Sequence, residues 1–378
     1  MLWFESDRQL QYIDMHILHV VGARPNFMKV APVLHALSGR TGVKQTLVHT
    51  GQHYEPSLSD VFFQQLGIPA PNINLSVGSG THAVQTAEVM SRFEPVVTER
   101  KPDLVLVYGD VNSTMAAALV CSKLQVLVGH VEAGLRSFDR TMPEEINRLI
   151  TDQLADLSFT PSEDADLNLQ REGIPREKIY RVGNVMIDSL VRLLPEIPRR
   201  PTKGVPDRYA LVTLHRPSNV DDSEVLKGIL KSLTEVSHDL AVVFPAHPRT
   251  RQRIADFGLR VDQLRLLDPL PYLDFLALQR RATVVITDSG GIQEETTYLG
   301  VPCLTLRSNT ERPVTVSSGT NVLVGRDPKK LRLELTKILN GKGKTGTVPP
   351  LWDGHAGERI ADVLIGWLSG NSSTSGPS

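Results

Sequence analysis

The sequence predicts an α/β fold built from two Rossmann-like, doubly wound domains that face a common cleft. Three observations favour this fold. The chain has 378 residues, enough for two domains of ordinary size. Short apolar runs alternate with amphipathic stretches, which is the pattern of parallel βαβ units. A segment rich in Pro and Arg, residues 194–206, interrupts the alternation near the middle of the chain, and we interpret it as the linker between the domains.

In the first half, each predicted strand is a short apolar run that precedes a helical pattern. The predicted strands are residues 16–21, 44–50, 104–108, 126–130, 157–160 and 179–182, and the predicted helices are residues 26–37, 57–66, 82–99, 113–123, 143–154 and 163–171. Because strands that alternate with helices of this length pair in parallel, we expect a ligand site at the carboxyl ends of the strands.

The same alternation resumes after the linker. The predicted strands are residues 210–214, 241–244, 284–287 and 303–306, and the predicted helices are residues 223–237, 291–298, 328–339 and 354–368. We therefore expect an N-terminal domain at 15–190 and a C-terminal domain at 205–353, with the helix at 354–369 packing back on the first domain. Residues 1–14 and 370–378 are expected to be disordered extensions; the latter is a low-complexity tail.

The composition excludes several classes of partner. The chain has 41 Lys and Arg residues against 42 Asp and Glu residues, so it lacks the overall basic charge that binds nucleic acid or an anionic membrane. No apolar run approaches the roughly 20 residues of a membrane helix, and the first residues lack the apolar core of a signal peptide. Cys121 and Cys303 lie far apart, which suits a reducing compartment, so we expect a cytoplasmic protein.

The end of the first strand carries residue types that hold phosphate groups. Arg24 and Pro25 begin a helix there, and the free amide groups of a helix start attract anions. Lys29 adds positive charge one turn later. The alternative is an ordinary solvated helix start, but an Arg beside an apolar strand end needs a partner, which favours a binding site.

A second candidate phosphate site lies in the other half of the chain. Ser289, Gly290 and Gly291 follow a strand and enter a helix, where glycines let the backbone approach a phosphate closely. Glu295 follows about one helical turn later and can accept hydrogen bonds from ribose hydroxyls. The alternative is a helix cap in which the glycines serve close packing.

Carboxylates follow two very apolar strands. Asp110 and Glu132 stand at these strand ends, and burial of an acid shifts its pKa, as general acids and bases require. Asp110 can alternatively cap the next helix, whereas Glu132 has no such structural explanation.

The segment from Thr141 to Arg148 begins a helix. Thr141 and Glu144 fit a capping box, and Glu144 with Arg148 fits a surface ion pair. In the functional alternative, Glu144 and Arg148 both face the cleft.

Two histidines, His215 and His247, follow strands of the second half. Imidazole at such a position can bond a phosphate or transfer a proton near neutral pH, and we assign His247 to substrate binding.

Residues 78–83 match the dinucleotide fingerprint G-x-G-x-x-A, but they lie far from the first βα turn, so NAD is not expected. Zinc-type Cys/His spacing is missing as well, so we expect no metal and no cofactor.

Nine segments between about residues 20 and 325 together resemble the non-hydrolysing UDP-N-acetylglucosamine 2-epimerase family. They are GARPNFMKVAPV, HTGQHY, YGDVNST, GHVEAGLRSFDRTMPEEINR, VGNVMID, TLHRPSN, AHPRT, TDSGGIQEE and NTERP. The resemblance implies a glycosyltransferase-B-like fold, a homodimer, and a UDP-N-acetylamino sugar bound in the cleft between the domains.

The resemblance also implies roles for individual residues. Nucleotide or phosphate contacts are implied for Arg24, Lys29, Ser289, Gly290, Gly291, Glu295 and Arg312. Catalysis is implied for Asp110, Glu132, Glu144 and His215, with Arg148 beside them. Gln52 and His53 match part of an allosteric site of some bacterial members, but the residues that follow differ, so allosteric activation is not expected.

The function indicated is interconversion of UDP-N-acetylglucosamine and UDP-N-acetylmannosamine by elimination and re-addition of UDP. Four alternatives stay open: a hydrolysing epimerase, a 2-epimerase of a modified UDP-amino sugar, a retaining glycosyltransferase of the same fold, and a UDP-sugar-binding sensor. The sequence does not determine the substituents of the sugar, the pathway served, or which carboxylate is the base.

Overall fold

The computed structural model describes residues 15–51, 63–199 and 204–371. Gln52, His53 and residues 1–14 lie outside these ranges, as do most of the predicted helix 57–66 and most of the tail 370–378. Within the described ranges, no helix is both long enough and apolar enough to cross a lipid bilayer.

In the described part of the first half, the chain forms a seven-stranded parallel sheet. The strands are β1 (Met15–Val21), β2 (Val43–His49), β3 (Ile73–Asn74), β4 (Leu104–Tyr108), β5 (Leu127–Val131), β6 (Leu157–Thr160) and β7 (Ile179–Arg181), in the spatial order β3-β2-β1-β4-β5-β6-β7. The helices are α1 (Arg24–Ser38), α2 (His82–Arg100), α3 (Asn112–Lys123), α4 (Pro143–Leu154), α5 (Glu163–Arg171) and α6 (Val185–Leu193). All five residues of β4 are buried, as expected of a central parallel strand.

The second half forms a six-stranded parallel sheet. Its strands are β8 (Tyr209–Thr213), β9 (Ala241–Pro245), β10 (Arg265–Leu267), β11 (Val284–Thr287), β12 (Cys303–Thr305) and β13 (Asn321–Leu323), in the order β10-β9-β8-β11-β12-β13. The helices are α7 (Pro217–Val220), α8 (Ser223–Ser237), α9 (Pro248–Asp256), α10 (Tyr272–Arg281), α11 (Gly290–Leu299), α12 (Pro313–Ser317), α13 (Pro328–Leu339) and α14 (Ala356–Asn371).

Both sheets reverse their strand order at one point, which confirms the predicted doubly wound α/β class. The reversal lies between β1 and β4 in the first sheet and between β8 and β11 in the second. Loops diverge at such a switch point and leave a crevice for a ligand. Arg24 and Asp110 follow the two strands of the first switch point, and His215 and Ser289 follow those of the second.

The two halves share part of their hydrophobic packing. Leu273 and Leu276 of α10 belong to the second half, yet they pack within the core of the first. The last helix, α14, packs against α1 and α6 of the first half. A Cβ at Gly357 of α14 would lie 2.7 Å from the carbonyl oxygen of Pro32, so a glycine is required at this close approach.

Candidate active site

A cleft of about 340 Å³ lies between the two halves of the molecule, and both contribute to its wall. The predicted site residues that line it are Lys29, Asp110, Glu144, Arg148, Ser289, Gly290, Gly291, Glu295 and Arg312. The cleft therefore brings together both of the candidate phosphate sites and two of the three candidate catalytic carboxylates.

Glu132, the third carboxylate, lies directly behind this wall and is almost fully buried. Its Oε1 lies 2.8 Å from Nζ of Lys29 and 3.4 Å from Nη2 of Arg312, so it pairs with a cation from each half. Its Oε2 is buried and has no hydrogen-bond partner in the described part of the chain. The backbone at Glu132 has a φ of +75°, a strained conformation that is found disproportionately often at functional sites.

Asp110 stands in a tight turn after β4. The preceding Gly109 has a φ of +64°, and a Cβ there would lie 2.4 Å from Nζ of Lys29, so the turn requires glycine. Oδ2 of Asp110 lies 3.1 Å from Nε of Arg148. Burial tends to raise the pKa of this carboxyl, but the positive charges of Arg148 and Lys29 outweigh burial and hold the pKa below its ordinary value. Asp110 is therefore ionised at neutral pH, and it does not cap the next helix, which begins without a side-chain cap.

The start of α4 differs from both structural alternatives that the sequence allowed. The predicted capping box is wrong, because the N-cap is Met142 and the hydroxyl of Thr141 donates instead to Asp139. The predicted ion pair between Glu144 and Arg148 is wrong as well, because Arg148 pairs with Asp110 and Glu145. Glu144 has no ion pair with any described residue, and it faces the cleft.

Glu145, which the sequence did not single out, organises the loop before α4. Its carboxylate accepts hydrogen bonds from the amide and hydroxyl of Ser137 at 2.9 Å and 2.8 Å and from the amide of Phe138 at 3.0 Å. It also pairs with Arg148. These contacts fix the loop and orient Arg148, while the neighbouring Glu144 remains free to face the cleft.

The first turn of α11 forms the opposite wall of the cleft. Ser289 is the N-cap, and Gly290 and Gly291 are the first helical residues. A Cβ at Gly290 would lie 2.5 Å from Nη1 of Arg312, so glycine lets the arginine pack against the helix start. Amide groups in the first turn of a helix have no partner within the helix and attract anions. This wall can therefore hold a phosphate group between backbone amides and the Arg312 side chain.

Two adjacent glutamates of α11 have different partners. Oε1 of Glu295 accepts from the hydroxyl of Tyr272 at 2.8 Å, and burial raises the pKa of Glu295 to about 7. Oε1 of Glu294 lies 2.9 Å from Nε of Arg312 and also accepts from Asn184 at 2.9 Å. Burial raises the pKa of Glu294 too, against the opposing charge of Arg312. The sequence singled out Glu295, but not Glu294, Asn184 or Tyr272.

A cluster of arginines around Glu311 completes the second-half wall. Oε1 of Glu311 lies 2.6 Å from Nη1 of Arg312 and 3.3 Å from Nη2 of Arg216, and Oε2 lies 2.7 Å from Nη2 of Arg307. Burial alone would raise the pKa of Glu311, but these arginines hold it well below its usual range. The carboxylate thus holds the guanidinium groups in place. Glu311 lies in the segment NTERP and Arg216 in the segment TLHRPSN, both of which resemble the epimerase family. That resemblance could have identified the two residues from the sequence.

The remaining predicted residues lie at the edge of the cleft or beyond it. Nδ1 of His215 lies 3.0 Å from Oδ1 of Asp288, and His215 lines a second crevice of about 880 Å³ that shares Glu144 and Arg216 with the first. His247 caps α9 through its Nδ1 and lines neither space, although its ring is 6.2 Å from that of His215. The backbone of Arg24 begins α1, but its side chain lies outside the described part of the structure.

Comparisons with known proteins point to one family. A family model described as UDP-N-acetylglucosamine 2-epimerase matches residues 35–365. A UDP-N-acetylglucosamine 2-epimerase of Methanocaldococcus jannaschii is 42% identical over 364 residues, which covers 93% of this chain and 99% of the relative. A UDP-2,3-diacetamido-2,3-dideoxy-D-glucuronate 2-epimerase of Pseudomonas aeruginosa is also 42% identical, over 357 residues, with the same coverage of 93% and 99%. The crystal structure of the M. jannaschii UDP-GlcNAc 2-epimerase in complex with UDP-GlcNAc and UDP is 43% identical, has a TM-score of 0.87, and aligns over 93% of this chain and 99% of that one.

Proposed function

The chain belongs to the UDP-N-acetylglucosamine 2-epimerase family, and on this premise we propose that it interconverts UDP-N-acetylglucosamine and UDP-N-acetylmannosamine. The chain is accordingly an isomerase. One observation carries the proposal: the cleft joins a helix start suited to phosphate, at Ser289, to carboxylates of the other half of the molecule, with Asp110 and Glu144 in its wall and Glu132 buried behind them. An enzyme that detaches UDP and moves protons at the sugar needs both groups at one site.

The chemistry explains why both are needed. The C2 hydrogen of the sugar is not next to a carbonyl group, so direct removal of that proton is too costly. Loss of UDP across C1 and C2 avoids this problem, because it forms a 2-acetamidoglucal that can be protonated on either face. UDP then adds back to C1. Closure of the cleft would keep water from trapping the intermediate.

The second half of the molecule is suited to hold the departing diphosphate. The amides at Gly290 and Gly291, the Ser289 hydroxyl and the Arg312 guanidinium all lie on one wall of the cleft. Negative charge grows on the leaving group during elimination, and fixed donors stabilise that charge most strongly where water is excluded. Removal of one such donor typically lowers the rate by roughly 10²–10³.

The three carboxylates would transfer the protons. Asp110 lines the cleft and its lowered pKa keeps it ionised, so it is the candidate acceptor of the C2 proton on one face. Glu132 and Glu144 are the candidates for the other face, since Glu132 has a buried oxygen without a partner among the described residues and Glu144 faces the cleft. His215, fixed by Asp288, would assist the departure of UDP from the neighbouring crevice.

A second candidate substrate is a diacetamido-uronate linked to UDP. The Pseudomonas relative named for that substrate is 42% identical, the same figure as for the M. jannaschii UDP-N-acetylglucosamine 2-epimerase. Sequence identity therefore does not separate the two substrates. Parallel assays with both UDP-sugars measure the preference directly.

Incubation with UDP-N-acetylglucosamine in D₂O, followed by proton NMR, tests the reaction itself. We expect a second anomeric signal from UDP-N-acetylmannosamine and deuterium at C2 of both sugars. Accumulation of free N-acetylmannosamine would instead indicate a hydrolysing epimerase, and turnover only with an added acceptor would indicate a glycosyltransferase. Retention of the original C2 hydrogen in the product would contradict the elimination mechanism.

Three further proposals accompany the function. We propose that the division into domains at 15–190 and 205–353 is correct, which the two separate sheets support. We also propose that the protein is a homodimer and acts in the cytoplasm. Analytical ultracentrifugation and cell fractionation would test the last two.

A further inference from the structure

His130 of β5 is fully buried, and its ring lies between two segments that carry candidate catalytic groups. Nδ1 lies 2.6 Å from Oδ1 of Asp152, and Nε2 lies 2.8 Å from the carbonyl oxygen of Gly109. Gly109 directly precedes Asp110. The Nε2 hydrogen bond therefore holds the turn that presents the Asp110 carboxylate.

Both partners of the His130 ring are hydrogen-bond acceptors, since one is a carboxylate and the other a backbone carbonyl. With a proton on each ring nitrogen, an imidazolium would donate to both acceptors. Asp152 is able to balance that charge as a carboxylate: burial works to raise its pKa, but His130 and Arg136 hold the pKa below its ordinary value. Arg136 pairs in turn with the partly exposed Glu172, so the two positive and two negative charges of this chain of contacts balance.

Asp152 extends the same connection to two more segments. Its Oδ2 accepts from the amide of Gly134 at 3.1 Å, and Gly134 stands two residues after Glu132. A Cβ at Gly134 would lie 2.4 Å from the carbonyl oxygen of Ala165, so this turn is tightly packed as well. Asp152 itself belongs to α4, the helix that begins beside Glu144.

We propose that His130 and Asp152 form a charged positioning pair that sets the relative placement of the three candidate catalytic carboxylates. The inference rests on the proposed function. Neither residue of the pair lines the cleft, so the pair acts through the segments that it holds. Loss of one ring proton would leave one of two buried acceptors without a donor, and it would release either the Asp110 turn or α4.

Kinetics of His130→Gln and Asp152→Asn test the proposal. A misplacement of about 1 Å in a catalytic group can lower a rate about 10²-fold, and we expect a fall in kcat of that order for both variants. The KM for the UDP-sugar and the affinity for UDP should stay close to the wild-type values, because the groups proposed to hold the diphosphate at Ser289, Gly290 and Arg312 belong to the other half. The stoichiometry of UDP binding, measured by isothermal titration calorimetry, gives the fraction of protein with a folded site. The kcat is then expressed per folded site.

The matched control is His35→Gln. His35 is a partly buried histidine whose Nε2 also bonds a backbone carbonyl, that of Leu66 at 2.9 Å, but it lies on α1 outside the cleft wall. This variant should keep the wild-type kcat. If His130→Gln and Asp152→Asn keep it too, or if their loss disappears when kcat is expressed per folded site, the pair has no positioning role and the proposal is wrong.

Neutron diffraction from crystals of the unaltered protein in D₂O locates the protons of the pair even if the variants do not fold. We expect deuterium on both ring nitrogens of His130. Deuterium on one nitrogen only would overturn the proposal. A wild-type protein without epimerase activity would refute the proposed function instead, and the neutron result would still decide whether His130 and Asp152 form a charged pair.

Discussion

The guanidinium of Arg312 crosses the cleft to meet Glu132, with Nη2 of the arginine 3.4 Å from Oε1 of the glutamate. The same carboxylate oxygen lies 2.8 Å from Nζ of Lys29. Arg312 is also paired with Glu294 and Glu311. Arg312, which is proposed to hold the diphosphate, thus pairs with Glu132, which is proposed to transfer protons. In the proposed mechanism, departure of the leaving group and proton transfer would therefore depend on one electrostatic network.

Replacing Arg312 by Met is expected to weaken both the fold and substrate binding. The substitution leaves three buried carboxylates with less positive charge around them, and removal of one partner of a buried ion pair typically costs about 3–5 kcal/mol. We expect a lower Tm, a higher KM for the UDP-sugar and a lower kcat. Arg312→Lys keeps the positive charge but loses the planar guanidinium, which can donate two parallel hydrogen bonds. Compared with Arg312→Met, it should therefore recover more of the stability than of the activity. Thermal denaturation and steady-state kinetics measure both effects, and a wild-type KM in Arg312→Met would contradict the proposed role.

Glu132→Gln is expected to slow proton transfer while UDP binding persists. General acid–base catalysis contributes about 10²–10⁴-fold to a rate, and we expect kcat to fall by a factor in that range. Incorporation of deuterium at C2 should fall in parallel. Glu88→Gln is the control, because Glu88 is an exposed glutamate of α2 whose pair with Arg92 lies on the surface. Wild-type deuterium incorporation in Glu132→Gln would exclude this carboxylate from the reaction.

Gly290→Ala tests the close approach of Arg312 to the start of α11. The added Cβ would lie 2.5 Å from Nη1 of Arg312 and 2.8 Å from Oε1 of Glu311, so the arginine must shift. We expect a higher Kd for UDP, measured by calorimetry. Gly228→Ala in α8 is the matched control, since its Cβ would meet nothing within 4 Å. That control should bind UDP normally and gain up to about 1 kcal/mol of stability, because alanine favours a helix over glycine. Equal UDP affinity in the two variants would show that Arg312 has room to move.

Much of the cleft could be predicted from local sequence because parallel strands bring their carboxyl ends to one edge of a sheet. Asp110 follows β4 and Ser289 follows β11, and both line the cleft as the strand pattern indicated. The strands that the sequence did not predict, β3, β10 and β13, have two or three residues each. A run that short contains too few residues to establish an alternating or apolar pattern.

The ion pairs could not be predicted because they join residues far apart in sequence. Arg216 and Glu311 are 95 residues apart, and their contact depends on how the segments after β8 and β12 pack. The local pattern also gave a wrong prediction at α4, the capping box of Thr141 and Glu144. Glu144 and Glu145 both fit a helix start. Tertiary contacts decide between them, since Glu145 turns towards Ser137 and Glu144 towards the cleft.

Asp188 is expected to make stability depend on pH. It lies in α6, and its Oδ2 accepts from the amide of Gly357 at 2.7 Å, at the start of α14. Burial raises the pKa of Asp188 to about 6, although its hydrogen bonds with the amides of Gly357 and Ala356 act in the opposite direction. The unfolded chain has a pKa near 3.9 for this group. The folded state therefore binds the proton more tightly. The stabilising contribution is complete below about pH 4 and is lost as the pH rises to about 6.

Asp188→Asn removes this titration while it keeps an acceptor for the Gly357 amide. We expect the variant and the wild type to be equally stable near pH 4, and the variant to be more stable near neutral pH. A shift of about two pKa units corresponds to a difference of at most about 3 kcal/mol. Urea unfolding at a series of pH values measures the difference. Asp362→Asn is the control, because Asp362 lies exposed on α14 in a surface pair with Arg40, and its curve should follow that of the wild type. If the Asp188→Asn curve instead runs parallel to the wild-type curve from acid to neutral pH, then the carboxyl that joins α6 to α14 does not titrate with a raised pKa.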